Sequence, residues 1–317
     1  MKKFIITVDT EGDSLWGKNT SDEVTAENSK YIPQFQNLCE HFGFKPVYLT
    51  NYEMAQNAYF TDFIARKAEQ GLCEIGMHLH AWNMPGAQPL TARINSNPGL
   101  PYLIEYPDEV MEEKIATMTE LIQSRFGIRP TTHRAGRWAM DERYFSLIHR
   151  YGYTIDCSVT PHENWGTSPG FSEGSCGSNY SKSSELPYIV REEPGRTALY
   201  EVPMTIRENV RYFYRPQKLS ATELKHTVRC ALVGTKTWMR ILSEDIGAQK
   251  RLIQKDGADY LMFMLHSSEL MSGNHYFKTE DDMKEFYKNM ETLFCEASKD
   301  REGITLREYR KLLDKRG

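Results

Sequence analysis

Seven short runs rich in β-branched, aromatic and aliphatic residues, separated by stretches of helical periodicity, constrain this 317-residue chain more than any other feature. They are Lys3 to Asp9, Lys45 to Thr50, Leu72 to Met77, Arg129 to Arg134, Thr154 to Cys157, Leu199 to Pro203 and Tyr260 to His266. Strands that alternate with helices in this way form a parallel sheet, because each helix carries the chain back across it. Between the first two runs Ile32, Phe35, Leu38, Cys39 and Phe42 keep to one helical face, and Gly43 stands where a glycine ends a helix. Met111, Ile115, Met118 and Ile122 repeat the pattern between Asp108 and Gly127, and Asp141 opens a further helix that ends at Gly152. Met283, Phe286, Tyr287, Met290, Leu293 and Phe294 mark a late amphipathic helix.

Two stretches break the rhythm. Trp82 to Pro107 and Thr160 to Pro187 are rich in Pro, Gly, Asn or Ser and are expected to be long loops over one end of the sheet. A mixed-charge helical insertion is expected over 219–255, too small for a core of its own, so residues 1–317 are read as a single domain. With 40% hydrophobic and 26% charged residues the chain can bury a large core. A net charge of −4, with Lys and Arg scattered, excludes a nucleic-acid footprint. No run of 18 apolar residues suggests a membrane span, and Phe4 to Asp9 is too short and too soon acidic for a signal sequence. Six widely spaced cysteines fit reduced thiols, so a cytoplasmic location is expected.

In parallel α/β folds the carboxyl ends of the strands share one rim, where sites are built. Asp9 and Glu11 end the first run, His78 and His80 follow the third, His133 and Arg134 end the fourth, Asp156 lies on the fifth, and His266 ends the last. Strand geometry places His78 and His80 on one face, and two adjacent imidazoles are half of a transition-metal site. His133 is expected on the face opposite Arg134, in a structural role. Ionisable groups from five strands meeting at one rim point to chemistry rather than to capping.

These residues also carry a resemblance. Thr7-Val8-Asp9-Thr10-Glu11-Gly12, Glu74-Ile75-Gly76-Met77-His78-Leu79-His80, His133-Arg134-Ala135-Gly136-Arg137-Trp138, Asp156-Cys157-Ser158-Val159 and Leu265-His266-Ser267-Ser268 resemble, in order, the five motifs of the polysaccharide deacetylases with a NodB-type domain, the family-four carbohydrate esterases. The resemblance runs from Ile5 to about His266 and implies a distorted (β/α)7 barrel with long rim loops. It implies metal-dependent hydrolysis of an N- or O-linked acetyl group on a carbohydrate, with Zn2+ or a similar divalent ion. Carried onto this sequence, Glu11, His78 and His80 hold the metal, Asp9 is the base, Arg134 pairs with the base, His266 is the acid and Asp156 orients that acid. Trp82, Trp138 and Trp165 are candidates to stack on a sugar ring.

The match has two departures. Thr10 stands where the family has a second aspartate adjacent to the first, and Trp82 stands four residues after His78, where the family has its second histidine. Either the loop is reshaped so that His80 coordinates, or His78 alone does. The competing functions are a non-acetyl C–N amidohydrolase of the same fold and an inactive carbohydrate-binding homologue.

Overall fold

The computed structural model describes residues 1–13, 25–81, 100–214, 216, 220–243 and 245–315. The strands are β1 (Lys2–Thr10), β2 (Pro46–Thr50), β3 (Glu74–Leu79), β4 (Thr132–Ala135), β5 (Ile155–Asp156), β6 (Tyr188–Arg191), β7 (Leu199–Glu201), β8 (Ile206–Val210), β9 (Thr235–Trp238), β10 (Tyr260–His266) and β11 (Arg301–Gly303). The α-helices are α1 (Ile32–His41), α2 (Tyr52–Gln56), α3 (Ala58–Glu69), α4 (Asp108–Phe126), α5 (Glu142–Arg150), α6 (Ala221–Leu232), α7 (Gly247–Lys255), α8 (Glu280–Ala297) and α9 (Leu306–Leu313).

All seven expected runs are strands, and they pair in parallel in the order β10-β1-β2-β3-β4-β5-β7. β6 extends this array antiparallel to β7, and β11 pairs with the first residues of β1. The sheet curls into a distorted barrel whose β10 edge is met by irregular chain. Tyr260 Oη donates to the Pro203 carbonyl (2.5 Å), Met262 N donates to Thr205 Oγ1 (2.8 Å), and Met264 N donates to the Met239 carbonyl (3.1 Å). The segment 219–255 holds α6 and α7, but it is not wholly helical. Thr235 and Thr237, β-branched and alternating with exposed Lys236, form β9, which pairs antiparallel with β8 in a separate two-stranded sheet.

Strand alternation divides the core into two layers. Phe4, Ile6, Val8, Tyr48, Ile75, Met77, Leu79, Phe263 and Leu265 point outward and pack beneath the helices. Ile5, Val47, Leu49, Ile155, Cys157, Met262 and Met264 fill the barrel, joined at its amino-terminal end by Leu306 and Tyr309 of α9. The helix is fastened there by Arg307 N, which donates to the buried Glu74 carboxylate (2.8 Å). Gly76 is required inside this layer, since a Cβ there would stand 2.8 Å from both Leu49 Cδ2 and the Thr132 carbonyl oxygen.

The inner face changes chemistry along each strand. Ile5 gives way to Thr7 and Asp9, Gly76 to His78 and His80, Thr132 to Arg134, and Met262 and Met264 to His266. Register then sets the neighbours: Asp9 lies opposite His266, and His78 opposite Arg134.

Candidate metal and catalytic site

At the carboxyl end of the barrel, Glu11 Oε1 lies 2.9 Å from His78 Nε2 and 2.7 Å from His80 Nε2, and the two nitrogens are 3.0 Å apart. All three side chains are buried. His78 Nδ1 lies 2.9 Å from the Arg134 carbonyl oxygen. A carbonyl only accepts, so the proton of a neutral His78 sits on Nδ1 and its Nε2 lone pair points at the Glu11 carboxylate. Lone-pair atoms this close repel unless a proton or a metal ion stands among them. One carboxylate oxygen and two imidazole nitrogens are a donor set suited to zinc.

The second histidine is held by a space as much as by a bond. A Cβ at Gly136 would stand 2.6 Å from His80 Nδ1, so the ring occupies the place that any other residue would fill. The spacing of two in place of four therefore still brings both imidazoles to Glu11, because both lie on the inner face of one strand and its extension. The backbone of Glu11 is fixed by Ser267 Oγ, which accepts from its N–H (3.0 Å) and donates to its carbonyl (2.9 Å), and by Asn28 Nδ2 (2.7 Å).

Burial alone would raise the Glu11 pKa, but His80 and His78 outweigh it and hold the carboxyl well below its ordinary value. Burial likewise opposes a charge on each imidazole. It prevails at His80, pushed down to about 4, and is overcome at His78 by Asp9 and Glu11, so His78 is shifted up.

Asp9 lies beside this cluster. Arg134, fully buried, donates from Nη1 to Asp9 Oδ1 (2.5 Å), from Nη2 to Thr7 Oγ1 (3.0 Å) and from Nε to the Cys157 carbonyl (3.0 Å). Burial raises the Asp9 pKa, yet Arg134, then His78 and His266, outweigh it and keep the carboxyl below its usual range. The other oxygen, Oδ2, stands 3.9 Å from His266 Nε2. An ionised carboxylate and an imidazole thus flank one point beside the Glu11–His78–His80 cluster.

The carboxylate at His266 is not the expected one. Glu269, three residues on in a 3-10 turn, places Oε1 3.0 Å from His266 Nδ1 and accepts from Arg240 Nη2, which itself stands 3.0 Å from the same ring nitrogen. Burial favours the neutral form of Glu269, but Arg240 and His266 outweigh it and lower its pKa. Asp156 is bound elsewhere. Its Oδ1 lies 2.6 Å from His133 Nδ1 and accepts from Ser158 Oγ (2.9 Å), its Oδ2 accepts from Ser158 N (3.0 Å), and His133 Nε2 meets Tyr144 Oη (2.8 Å). The physical reason is strand parity: Asp156 pairs in register with His133, not with a residue of β10.

A cavity of about 220 Å3 opens on the cluster, lined by Asp9, Glu11, His78, His80 and His266 and walled by Tyr102, Arg137, Trp138, Trp165 and Ser168. Trp138 and Trp165 therefore lie where expected, and Trp82 falls outside the described residues. Arg137 and Trp138 both have left-handed backbones, φ 56° and 61°, a strain costing about 1–2 kcal/mol each that clusters at functional sites. Tyr102, Ser168, Arg137, Arg240 and Glu269 were not among the residues expected from sequence.

No protein-family model matches the chain, and no curated protein resembles it in sequence. Solved structures do resemble it. A putative polysaccharide deacetylase from Mycobacterium smegmatis superposes over 99% of this chain and 91% of its own, with a TM-score of 0.53 and 12% identity. The chain has the polysaccharide deacetylase fold. That fold reaches further: a 4-alpha-glucanotransferase from Thermococcus litoralis matches 98% of this chain, which spans 38% of that enzyme, at TM-score 0.52 and 11% identity. A GH57 branching enzyme from Thermococcus kodakaraensis matches 98% of this chain and 71% of its own, at TM-score 0.51 and 11% identity. Any choice among these chemistries rests on the site.

Proposed function

We propose that this chain is a metal-dependent hydrolase that removes an N- or O-linked acetyl group from a carbohydrate. One observation carries the reading: Asp9, clamped by Arg134, and His266, bracketed by Glu269 and Arg240, face each other beside the Glu11–His78–His80 donor set. Glu11, His78 and His80 would hold a divalent ion, most suitably Zn2+, which when bound supplies a Lewis acid for the acetyl carbonyl and acidifies water.

The chain's own residues supply the proton transfers. Asp9 Oδ2 takes a proton from the attacking water, while Arg134 keeps the carboxylate ionised and holds its other oxygen still. His266 Nε2 delivers a proton to the departing amine or alkoxide, with Glu269 at Nδ1 orienting the ring and balancing its charge. Trp138 and Trp165 offer aromatic faces to the sugar.

The same site disfavours the glycan-transfer chemistry that the fold also hosts. Glycosidic cleavage ordinarily needs one carboxylic acid kept protonated, its pKa raised. Here Asp9 and Glu11 are both shifted down. The test is acetate release from a panel of N- and O-acetylated mono- and oligosaccharides, before chelation, after it, and after zinc is restored. The reading predicts release that chelation abolishes and zinc returns. Zinc-loaded protein that frees acetate from none of the panel would overturn it.

A further inference from the structure

Helix α6 departs from the pattern of a surface helix, whose outer face is ordinarily polar. Cys230 is its buried residue, and Leu224, Val228 and Leu232 recur at every fourth position on the far side of the helix, 64%, 48% and 67% exposed. Val233, just past the helix, is 58% exposed, and Phe213, on the segment that bonds to the Cys230 carbonyl through Tyr212 N, is 75% exposed. Single exposed apolar residues need no explanation, but a contiguous stripe marks an interaction surface.

The stripe has a cationic border. Lys225 and Arg229 are exposed on α6, and Arg211, Lys250 and Arg251 line an open cleft of about 690 Å3 shared with Phe213 and Ala231. Among the described residues none of these five bases forms an ion pair. The one acidic residue of α6, Glu223, is engaged by Tyr214 Oη (2.9 Å). No helix among the described residues is long and apolar enough to cross a membrane, so a lipid contact here is peripheral.

We propose that α6 is an interfacial helix that seats this chain on an anionic phospholipid surface. Leu224, Val228 and Leu232 enter the acyl boundary, and Lys225, Arg229, Lys250 and Arg251 meet the headgroups. Charge selects this occupant over a second copy of the chain. A face-to-face pair would gather Lys225 and Arg229 of both copies around one contact, whereas anionic headgroups neutralise them. The segment that carries the stripe also reaches the catalytic cavity: β9 follows α6, and its Trp238 ring packs 5.9 Å from Trp138 and 6.4 Å from Trp165.

Co-sedimentation with vesicles of phosphatidylcholine alone, and of phosphatidylcholine mixed with phosphatidylglycerol, tests the proposal. The full chain is expected to partition at least about tenfold more strongly onto the mixed vesicles, with the preference shrinking as salt is added. L224Q/V228Q/L232Q abolishes binding, and K225Q/R229Q weakens it by roughly fivefold per charge removed, each with wild-type circular dichroism. Equal binding to both vesicle types, or none, overturns the proposal. So does a dimer in light scattering that L224Q/V228Q/L232Q turns into a monomer without any vesicle binding, which would give the stripe to a second copy.

Discussion

Two histidine–carboxylate arrangements stand on neighbouring strands of one sheet and are built in opposite ways. His133 is closed: one ring nitrogen meets Asp156, the other meets Tyr144, and all three side chains are buried. At the other arrangement, His78 and His80 aim ring nitrogens at a single carboxylate oxygen, and beyond them His266 turns Nε2 toward Asp9 on the edge of a cavity. The first has donors and acceptors in balance and so stabilises. The second gathers two imidazole nitrogens and a carboxylate oxygen within 3.0 Å of one another, a set of atoms able to take a cation among them. Position along the strand makes the difference: His133 points to the outer face, whereas His78 and His80 take the inner one.

The largest effect that separates the two is expected at Asp9. Asp9→Asn should lower kcat by roughly 10²–10⁴-fold, the usual contribution of a positioned base, while bound zinc is retained. Steady-state kinetics with metal analysis on the same sample checks this, and parallel loss of metal and activity would move Asp9 into the ligand set. Next, Glu269→Gln and Asp156→Asn should part company. Glu269→Gln is expected to cost roughly ten- to hundredfold in kcat and to shift the basic limb of the pH–rate profile, which reports the general acid. Asp156→Asn should leave that profile in place and instead lower unfolding free energy by about 1–3 kcal/mol, the cost of a weakened buried hydrogen-bond set. If Asp156→Asn moves the profile and Glu269→Gln does not, the assignment of the two carboxylates is reversed.

Much of this was legible in the residues themselves. Seven short runs became the seven parallel strands, and Asp9, Glu11, His78, His80 and His266 line one cavity, with Arg134 bonded to Asp9, because residues at strand ends share a rim. The partner of His266 was not legible, since a 3-10 turn folds Glu269 back onto the ring and Arg240 reaches it from a segment 26 residues earlier. Nor was β9, whose four residues pair with β8 across a register shift at Arg207 and Val210 that no sequence periodicity records. Tyr102 and Ser168 meet at the cavity because their loops are tied together by a hydrogen bond from Tyr102 Oη to the Ser168 carbonyl (3.1 Å), a contact between residues 66 apart.

The smallest expected effect concerns pH and the closed histidine. Burial, outweighing the pull of Asp156, holds the His133 pKa below its ordinary 6.5. In this region the unfolded chain takes up the proton first, so His133 makes stability fall as pH drops below about 6.5. Replacing it by Asn should flatten that slope by up to one proton in denaturant titrations across this range. An unchanged slope would mean that His133 carries its proton in the fold.

The central claim is that Glu11, His78 and His80 bind one metal ion together. Zinc measured by mass spectrometry on the purified chain, beside His78→Ala, His80→Ala and Glu11→Gln, tests it directly. One zinc per chain in the wild type, largely lost in each of the three variants, is the predicted result. A wild type without zinc that takes none up from solution, or a His80→Ala variant that keeps its full equivalent, would contradict it.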